Sequence, residues 1–215
     1  MNAKKLIALS CVFAAGALAA ADATPILVSF ITPAQFPSRH YDVTGLRMSI
    51  LYGECRDFMG LDIGLASQSA EDFYGLGIGG VNIARKQLCG GQFGLFNWDG
   101  GRAREWSERS MGAQIGGLNC ANTLCGFQCG LLNMASSDIV GMQMGLINVA
   151  NDLDGVQFGL CFILGFNVAG GSVRGSQIGL INYAGRMERG LQIGLLNISS
   201  RHGWLPVIPI VNGRF

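Results

Sequence analysis

An eight-residue pattern, Gly-x-Gln-x-Gly-Leu-x-Asn, recurs along this chain and constrains its fold more than any other feature. Four nearly complete copies begin at Gly126, Gly141, Gly175 and Gly190. More diverged copies begin at Gly60, Gly75, Gly90, Gly112 and Gly155. Successive copies are 14 or 15 residues apart, except for two longer steps of 22 and 20 residues. A short repeat of this kind is typical of a chain that stacks similar units, each in contact with its neighbours.

Within a copy, polar and apolar residues alternate with a period of two, which predicts a β-strand rather than a helix. In the last copy we expect Met187, Leu191, Ile193 and Leu195 on a half-buried face and Gln192 on the opposite, outward face. Two glycines in every copy would cost a helix about 2 kcal/mol relative to alanine. The small and polar residues that follow each Asn predict a turn.

The repeat predicts an all-β fold, a β-solenoid of about nine coils of about 15 residues. In a parallel solenoid equivalent residues lie about 4.8 Å apart and can form amide ladders, which gives a reason for Gln and Asn to recur. The predicted Gln ladder comprises Gln92, Gln114, Gln128, Gln143, Gln157, Gln177 and Gln192. The predicted Asn ladder comprises Asn82, Asn97, Asn119, Asn133, Asn148, Asn182 and Asn197. An antiparallel meander or β-barrel is the alternative fold.

The first 23 residues have the composition of a secretory signal peptide. Lys4 and Lys5 form a basic start, residues 6–20 are apolar, and small residues precede the expected cleavage site before Thr24. Residues 24–59 are predicted to form an N-terminal β cap, residues 60–199 the repeat array, and residues 200–215 an extended C-terminal cap. Prolines in both flanking segments exclude helices there.

The repeat consensus, together with the entry segment Tyr41-Asp42-Val43-Thr44-Gly45-Leu46-Arg47 and the exit segment Leu205-Pro206-Val207-Ile208-Pro209, resembles a family of exported bacterial surface-repeat proteins. The resemblance covers nearly all of the chain after the signal peptide. It implies export and exposure at the cell surface. Since it implies no activity, it assigns no catalytic residue.

Candidate chemistry is sparse. A formal net charge of +1 with 13% charged residues argues against nucleic-acid binding. The segment Asp152-Leu153-Asp154-Gly155 lacks the spacing of a calcium loop and predicts a solvated turn. Six cysteines follow the signal peptide and could form disulfides, but Cys120 and Cys129 occupy positions that are aliphatic in other copies. We therefore predict no catalytic, metal-binding or cofactor-binding residue.

The longer step between the third and fourth copies is the best candidate for recognition. It concentrates Trp and Arg, the residues that most often anchor interfaces, in a loop on a regular scaffold. The predicted partner-binding residues are Trp98, Arg102, Arg104, Trp106 and Arg109. A loop whose tryptophans only cover the edge of a coil is the simpler alternative.

These features predict a non-enzymatic, exported repeat protein that acts as a structural or adhesin-like binding module at the cell surface, outer membrane or periplasm. The expected partner is a protein or a glycan. Peripheral or outer-membrane association and end-to-end self-association are also expected, because an uncapped solenoid has open strand edges. A small outer-membrane β-barrel or pore and a carbohydrate-active solenoid enzyme are the alternative functions.

Overall fold

The computed structural model describes residues 22–101, 109–160, 164–201 and 207–214. Residues 1–21, nearly all of the predicted signal peptide, lie outside this range. The chain divides into two compact units, unit 1 (Met1–Gly112) and unit 2 (Ala113–Phe215). Strand accounts for 85% of the structure, and the described residues contain no helix, so the predicted all-β class is confirmed.

Unit 1 is a stack of parallel coils. Its described strands are β1 (Ala23–Ile31), β2 (Ala34–Phe36), β3 (Asp42–Cys55), β4 (Phe58–Ser69), β5 (Phe73–Ala84), β6 (Leu88–Asp99) and the start of β7 (Ser110–Gly159). Strands β3 to β6 pair in parallel in chain order, and β1 pairs in parallel with β3. The short β2 is antiparallel to β1. Parallel stacking therefore starts within residues 24–59, the segment predicted as a cap.

Unit 2 continues the same type of coil. Its described strands are the rest of β7, β8 (Phe166–Ile178), β9 (Ile181–Ser199) and β10 (Val207–Arg214). Strands β7, β8 and β9 pair in parallel, whereas β10 folds back antiparallel on β9. The last coil is thus covered by a strand of opposite direction, which pairs its exposed backbone edge.

The parallel register decides between the two predicted folds. Equivalent repeat positions lie directly opposite each other, as Gly60 does to Gly75 in unit 1 and Gln177 to Gln192 in unit 2. The β-solenoid prediction is therefore confirmed, and the two units together contain about 11 turns. The antiparallel alternative would have reversed the direction of every second copy.

The predicted orientation of the strands is wrong. Gln192 is fully buried, whereas Leu195 is 63% exposed and Ile193 is only half-buried. Of the four aliphatic residues expected inside, Met187 alone is buried. The chain turns a corner at Gly190, so the strand before it and the strand after it present opposite phases of the alternation to the interior.

Glycine is required where each coil stacks on the previous one. Gly141 has φ +139°, and a Cβ built on it would lie 2.0 Å from the carbonyl oxygen of Gly126. A side chain there would be strained by the backbone conformation and would also overlap the backbone of the neighbouring coil. The first glycine of the repeat is therefore explained by both geometry and packing.

The interior of a coil combines one apolar half with one polar half. In unit 2 the apolar half has a column of large side chains and a column of alanines, and the cluster they form comprises Ala135, Ile139, Ala150, Leu153, Ala169, Val173, Ala184 and Met187. In unit 1 the corresponding cluster comprises Leu27, Val43, Cys55, Phe58, Phe73, Ala84 and Leu88. The polar half is filled by Gln and Asn.

Candidate functional site

The Gln residues of unit 2 form a continuous hydrogen-bonded ladder. From Gln128 onward each side-chain amide donates to the Gln of the preceding coil, with an Nε2 to Oε1 distance of 2.8 Å from Gln143 to Gln128 and 2.7 Å from Gln192 to Gln177. The second amide proton goes to a main-chain carbonyl, such as Val149 O at 3.1 Å from Gln143. The members of this ladder are Gln114, Gln128, Gln143, Gln157, Gln177 and Gln192.

The Asn residues form a second ladder of opposite polarity. Asn133 Nδ2 donates to Asn148 Oδ1 of the following coil at 2.8 Å and to the main-chain oxygen of Met144, also at 2.8 Å. The ladder of unit 2 comprises Asn119, Asn133, Asn148, Asn167, Asn182 and Asn197. Asn167 was not among the predicted residues, because the longer coil before it displaces it from the 15-residue period.

These ladders are structural rather than functional. All twelve side chains are fully buried, and both protons of a typical ladder amide are used inside the molecule. Such networks stabilise a unique interior because an unpaired buried amide would be costly. The groups able to meet a ligand therefore lie outside the ladders.

Unit 1 places an ion pair at the position of the Gln ladder. Arg47 and Asp62 are both buried, and Arg47 Nε and Nη2 donate to the two carboxylate oxygens at 2.9 and 2.8 Å. Gly77 and Gln92 follow in the same column. At the Asn position, Ser67 precedes Asn82, and its hydroxyl donates to Asp62 at 3.0 Å.

Arg47 makes further contacts with the interior of unit 1. Its Nη1 donates to the carbonyl oxygen of Gln68 at 2.8 Å and contacts Cys55 Sγ at 3.0 Å, and its guanidinium lies 4.6 Å from the ring centre of Phe58. Burial by itself would lower the pKa of Arg47, but the charge and hydrogen bonds of Asp62 outweigh burial and hold that pKa above its ordinary value. Because every charged atom is paired, we assign this pair a structural role.

The predicted partner-binding loop is only partly described. Trp98 lies one residue before the end of β6, with 37% of its surface exposed, opposite Ile83 of the preceding coil. Arg109 is half-buried, and its main-chain oxygen accepts a hydrogen bond from Gln87 at 2.8 Å. Arg102, Arg104 and Trp106 lie outside the described residues. Binding by this loop stays a prediction.

A buried carboxyl group at the base of this loop was not predicted. Asp99 occupies the column that holds Ala84 in the preceding coil. Its Oδ1 accepts the amide of Gly101 at 3.0 Å, and its Oδ2 has no hydrogen-bond partner. Burial, only partly offset by hydrogen bonds from Ser110 and Gly101, raises the pKa of Asp99 to about 6. The sequence did contain a signal for this carboxyl group, because the equivalent position of the preceding coil holds a small residue, Ala84.

The outer surface of unit 1 carries rows of exposed apolar side chains in register. One row runs through the middle of the face, and its central members Met48, Ile63 and Ile78 are 44% to 48% exposed. A parallel row lies two residues away along each strand. We define the apolar face as Ile26, Val28, Leu46, Met48, Leu61, Ile63, Leu76, Ile78 and Phe93. None of these side chains carries a charge or a hydrogen-bonding group.

Unit 2 carries a different surface feature, a polar groove with a volume of about 440 Å³. It lies where the residues that follow Asn148, Asn167 and Asn182 stack on successive coils. Its lining includes Asp152, Gly170, Tyr183, Arg186 and Glu188. We refer to it as the polar groove.

The described residues contain no cluster of three or more His, Cys, Asp or Glu side chains that could hold a metal ion. Five of the six cysteines after the signal peptide are described, and none of the five forms a disulfide with another described residue; Cys161 lies outside the described residues. Within the described ranges there is also no helix long and apolar enough to cross a membrane.

Comparison with known proteins gives no match: the chain matches no protein-family model, no curated protein and no solved structure. The resemblance to exported surface-repeat proteins therefore remains a prediction from the repeat motif. The two surface features that could meet a ligand are the apolar face of unit 1 and the polar groove of unit 2.

Proposed function

We propose that this chain is a non-enzymatic, exported scaffold that attaches to a lipid surface of the cell envelope through the apolar face of unit 1. The observation that carries the proposal is the inversion of the usual sheet pattern. A strand with one face in water normally places polar residues outward. Here the polar residues are buried in ladders and pairs, and the aliphatic residues point outward.

The chemistry of the apolar face favours lipid over a specific protein partner. On β1, Ile26, Val28 and Phe30 are each more than half exposed and alternate with the buried Leu27 and Ser29. Protein interfaces are usually anchored by Trp, Tyr and Arg, and the apolar face has none of these. A uniform aliphatic surface of this kind gains free energy from leaving water without needing a complementary shape.

The signal-peptide pattern supports the exported location. A chain that leaves the cytoplasm meets membrane surfaces on its route and at its destination. A stack of in-register coils aligns the apolar rows across neighbouring strands, since parallel strands keep equivalent residues about 4.8 Å apart. The aliphatic side chains are therefore presented together as one continuous surface.

Vesicle flotation tests the proposal. The exported protein is mixed with phosphatidylcholine vesicles, and we expect it to float with them in both 0.1 M and 1 M NaCl, because the apolar face uses no charge. A triple variant with Met48→Thr, Ile63→Thr and Ile78→Thr keeps β-compatible side chains and is expected to lose at least 80% of the floating fraction.

The matched control replaces three exposed aliphatic residues of unit 2, with Leu131→Thr, Ile147→Thr and Leu195→Thr. These side chains are 41% to 63% exposed but lie outside the apolar face. The control is expected to float like the unmodified protein. Equal flotation of the two triple variants, or no flotation of the unmodified protein, would contradict the proposal.

A further inference from the structure

The polar groove of unit 2 has the size and chemistry of a ligand site, and we propose that it binds a neutral oligosaccharide. Its volume of about 440 Å³ lies within the usual range of ligand pockets, about 300 to 1,000 Å³. Unlike the apolar face, it presents side-chain hydroxyl, amide, carboxylate and guanidinium groups to its opening. Sugar hydroxyls can both donate to and accept from such groups.

Glycines leave the bottom of the groove open. A Cβ built on Gly170 would have only Asn151 Oδ1 within 4 Å, at 3.8 Å. Gly171 lies next to it, and Gly185 follows on the next coil, where a Cβ would lie 2.0 Å from Gly170 O. Backbone stacking thus excludes a side chain at Gly185, while the space above Gly170 is free for a ligand.

Tyr183 provides an aromatic wall. It occupies a position that holds Val168 in the preceding coil and is half-buried. Its main-chain oxygen accepts a hydrogen bond from Gln177 at 3.0 Å, and Ser200 Oγ donates to its hydroxyl at 2.8 Å. The ladder therefore fixes the backbone of Tyr183, and the ring offers an apolar body with a polar tip, which suits the face of a sugar ring.

The charges of the groove favour a neutral ligand. Two acidic and two basic side chains line it: Asp152, Glu188, Arg186 and Arg201. Arg186 and Glu188 also form an ion pair with a 3.9 Å separation. With no excess of either sign, the groove has no basis for selecting a phosphate or a polyanion.

The groove is arranged for binding rather than cleavage. Asp152 Oδ1 accepts the amide and the hydroxyl of Ser172 at 2.6 and 2.8 Å, and its Oδ2 accepts Asn151 Nδ2 at 3.1 Å. Glu188 faces Arg174 as well as Arg186, each at 3.9 Å. Glycoside hydrolysis needs one carboxyl group free to donate a proton, and both carboxylates here are held as hydrogen-bond or ion-pair partners.

Titration calorimetry with defined sugars tests the inference. The probes are hexasaccharides of glucose and of N-acetylglucosamine, with a hexasaccharide of galacturonate as the acidic comparison. We expect the exported protein to bind at least one neutral probe and to bind the acidic probe at least tenfold more weakly. Binding in the groove does not depend on the apolar face, so the threonine variants of unit 1 are expected to retain it.

Two variants locate the site. Gly170→Leu fills the groove in a position free of close contacts, and Tyr183→Ala removes the aromatic wall; each is expected to weaken binding at least tenfold with an unchanged circular dichroism spectrum. Tyr74→Ala in unit 1 is the matched control and is expected to change binding less than twofold. Failure of both neutral probes to bind, preference for the acidic probe, or unchanged binding by Gly170→Leu would overturn the inference.

Discussion

The two units fill equivalent interior positions with different chemistry. Unit 2 uses unbroken Gln and Asn ladders, whereas unit 1 fills the equivalent Gln positions with the Arg47–Asp62 ion pair, followed by Gly77 and Gln92. An amide in a ladder needs partners on the neighbouring coils for both its donor and its acceptor groups. The difference therefore shows that a buried ion pair can take the place of stacked amides in a polar interior.

The Gln positions are completed differently in the two units. In unit 2 each Gln from Gln128 onward donates to the preceding coil, so the last one, Gln192, would lack a donor to its oxygen; Asn212 of β10 supplies it at 2.9 Å. In unit 1, Arg47 and Asp62 satisfy each other and need no further amide neighbour. The Asn ladder is less complete at its start, since Asn82 Oδ1 has no hydrogen-bond partner.

The largest effect is expected from breaking the buried ion pair. Arg47→Met leaves Asp62 buried without its partner, and such losses cost about 3 to 5 kcal/mol of unfolding free energy. Urea unfolding followed by circular dichroism measures the change. A loss below about 1 kcal/mol would show that the pair contributes little to the stability of unit 1.

A double variant tests whether unit 1 can adopt the chemistry of unit 2. Arg47→Gln with Asp62→Gln places two neutral amides in register, as in Gln177 and Gln192. Neutral replacement of a buried ion pair is often close to neutral in stability, so we expect recovery of most of the free energy lost in Arg47→Met. A double variant as unstable as the single one would contradict the equivalence of the two interiors.

Interrupting the ladder of unit 2 leaves neutral rather than charged groups unsatisfied and is expected to cost at least about 2 kcal/mol. Gln143→Leu leaves Gln157 Nε2 without its acceptor and removes the donor to Gln128 Oε1, and each unsatisfied buried group costs about 1 to 3 kcal/mol. Urea unfolding again measures the loss. The control is Met142→Leu, which changes the adjacent outward-facing residue. We expect it to change the unfolding free energy by less than about 0.5 kcal/mol, as is usual for surface positions.

Asp99 is expected to make the stability of unit 1 depend on pH. Its folded pKa of about 6 is above the ordinary value of 3.8, so the folded state holds the proton more tightly than the unfolded state. The protonated form of Asp99 therefore stabilises the folded state. This stabilisation is complete below about pH 4 and is lost as the pH rises to about 6. Asp99→Asn, which mimics the protonated form, is expected to be more stable than the unmodified protein at pH 7.5 by about 3 kcal/mol.

Thermal unfolding of both proteins between pH 4 and pH 8 tests this expectation. The stability difference in favour of Asp99→Asn is expected to increase from pH 4 to about pH 6 and then to stay constant. A difference that decreases over this range would contradict the direction of the pKa shift.

The smallest effect is expected from an exposed ion pair of unit 2. Arg174 lies 3.8 Å from Asp154 and 3.9 Å from Glu188, and its side chain is 63% exposed. Solvent screening makes such pairs worth about 0 to 1 kcal/mol, so Arg174→Ala should lower the unfolding free energy by less than about 0.5 kcal/mol. Comparison with Arg47→Met then separates the effect of burial from that of charge.

Much of the repeat architecture could be predicted from the sequence, but which face of each strand is buried could not. Recurrence of Gln177 and Gln192 at a fixed spacing predicts in-register stacking, because only equivalent neighbours explain an identical amide in every coil. Alternation alone does not say which face is inside. The apolar side chains suggested the wrong answer, since paired amides can fill an interior as well as aliphatic groups can.

The candidate surfaces were predicted less well. Trp98 and its loop stood out by composition, whereas the apolar face depends on residues such as Ile63 and Ile78 that the alternation assigns to the core. The polar groove joins Asp152, Gly170 and Tyr183 from three successive coils, and each looks like an ordinary turn or strand residue in isolation. Only stacking brings them together.

The sequence by itself determined the coil length, the all-β class and the identity of most ladder residues, because a periodic chain can satisfy the same polar group in every coil only by stacking equivalents. The tertiary structure decided which side of each strand is inside, that Arg47 and Asp62 pair in the interior of unit 1, that Asn212 completes the Gln ladder of unit 2, and where the outer surfaces lie. The physical reason is that hydrogen bonds between coils and the corner geometry at glycines such as Gly190 depend on neighbours in space. The alternation of residues along one strand does not specify those neighbours.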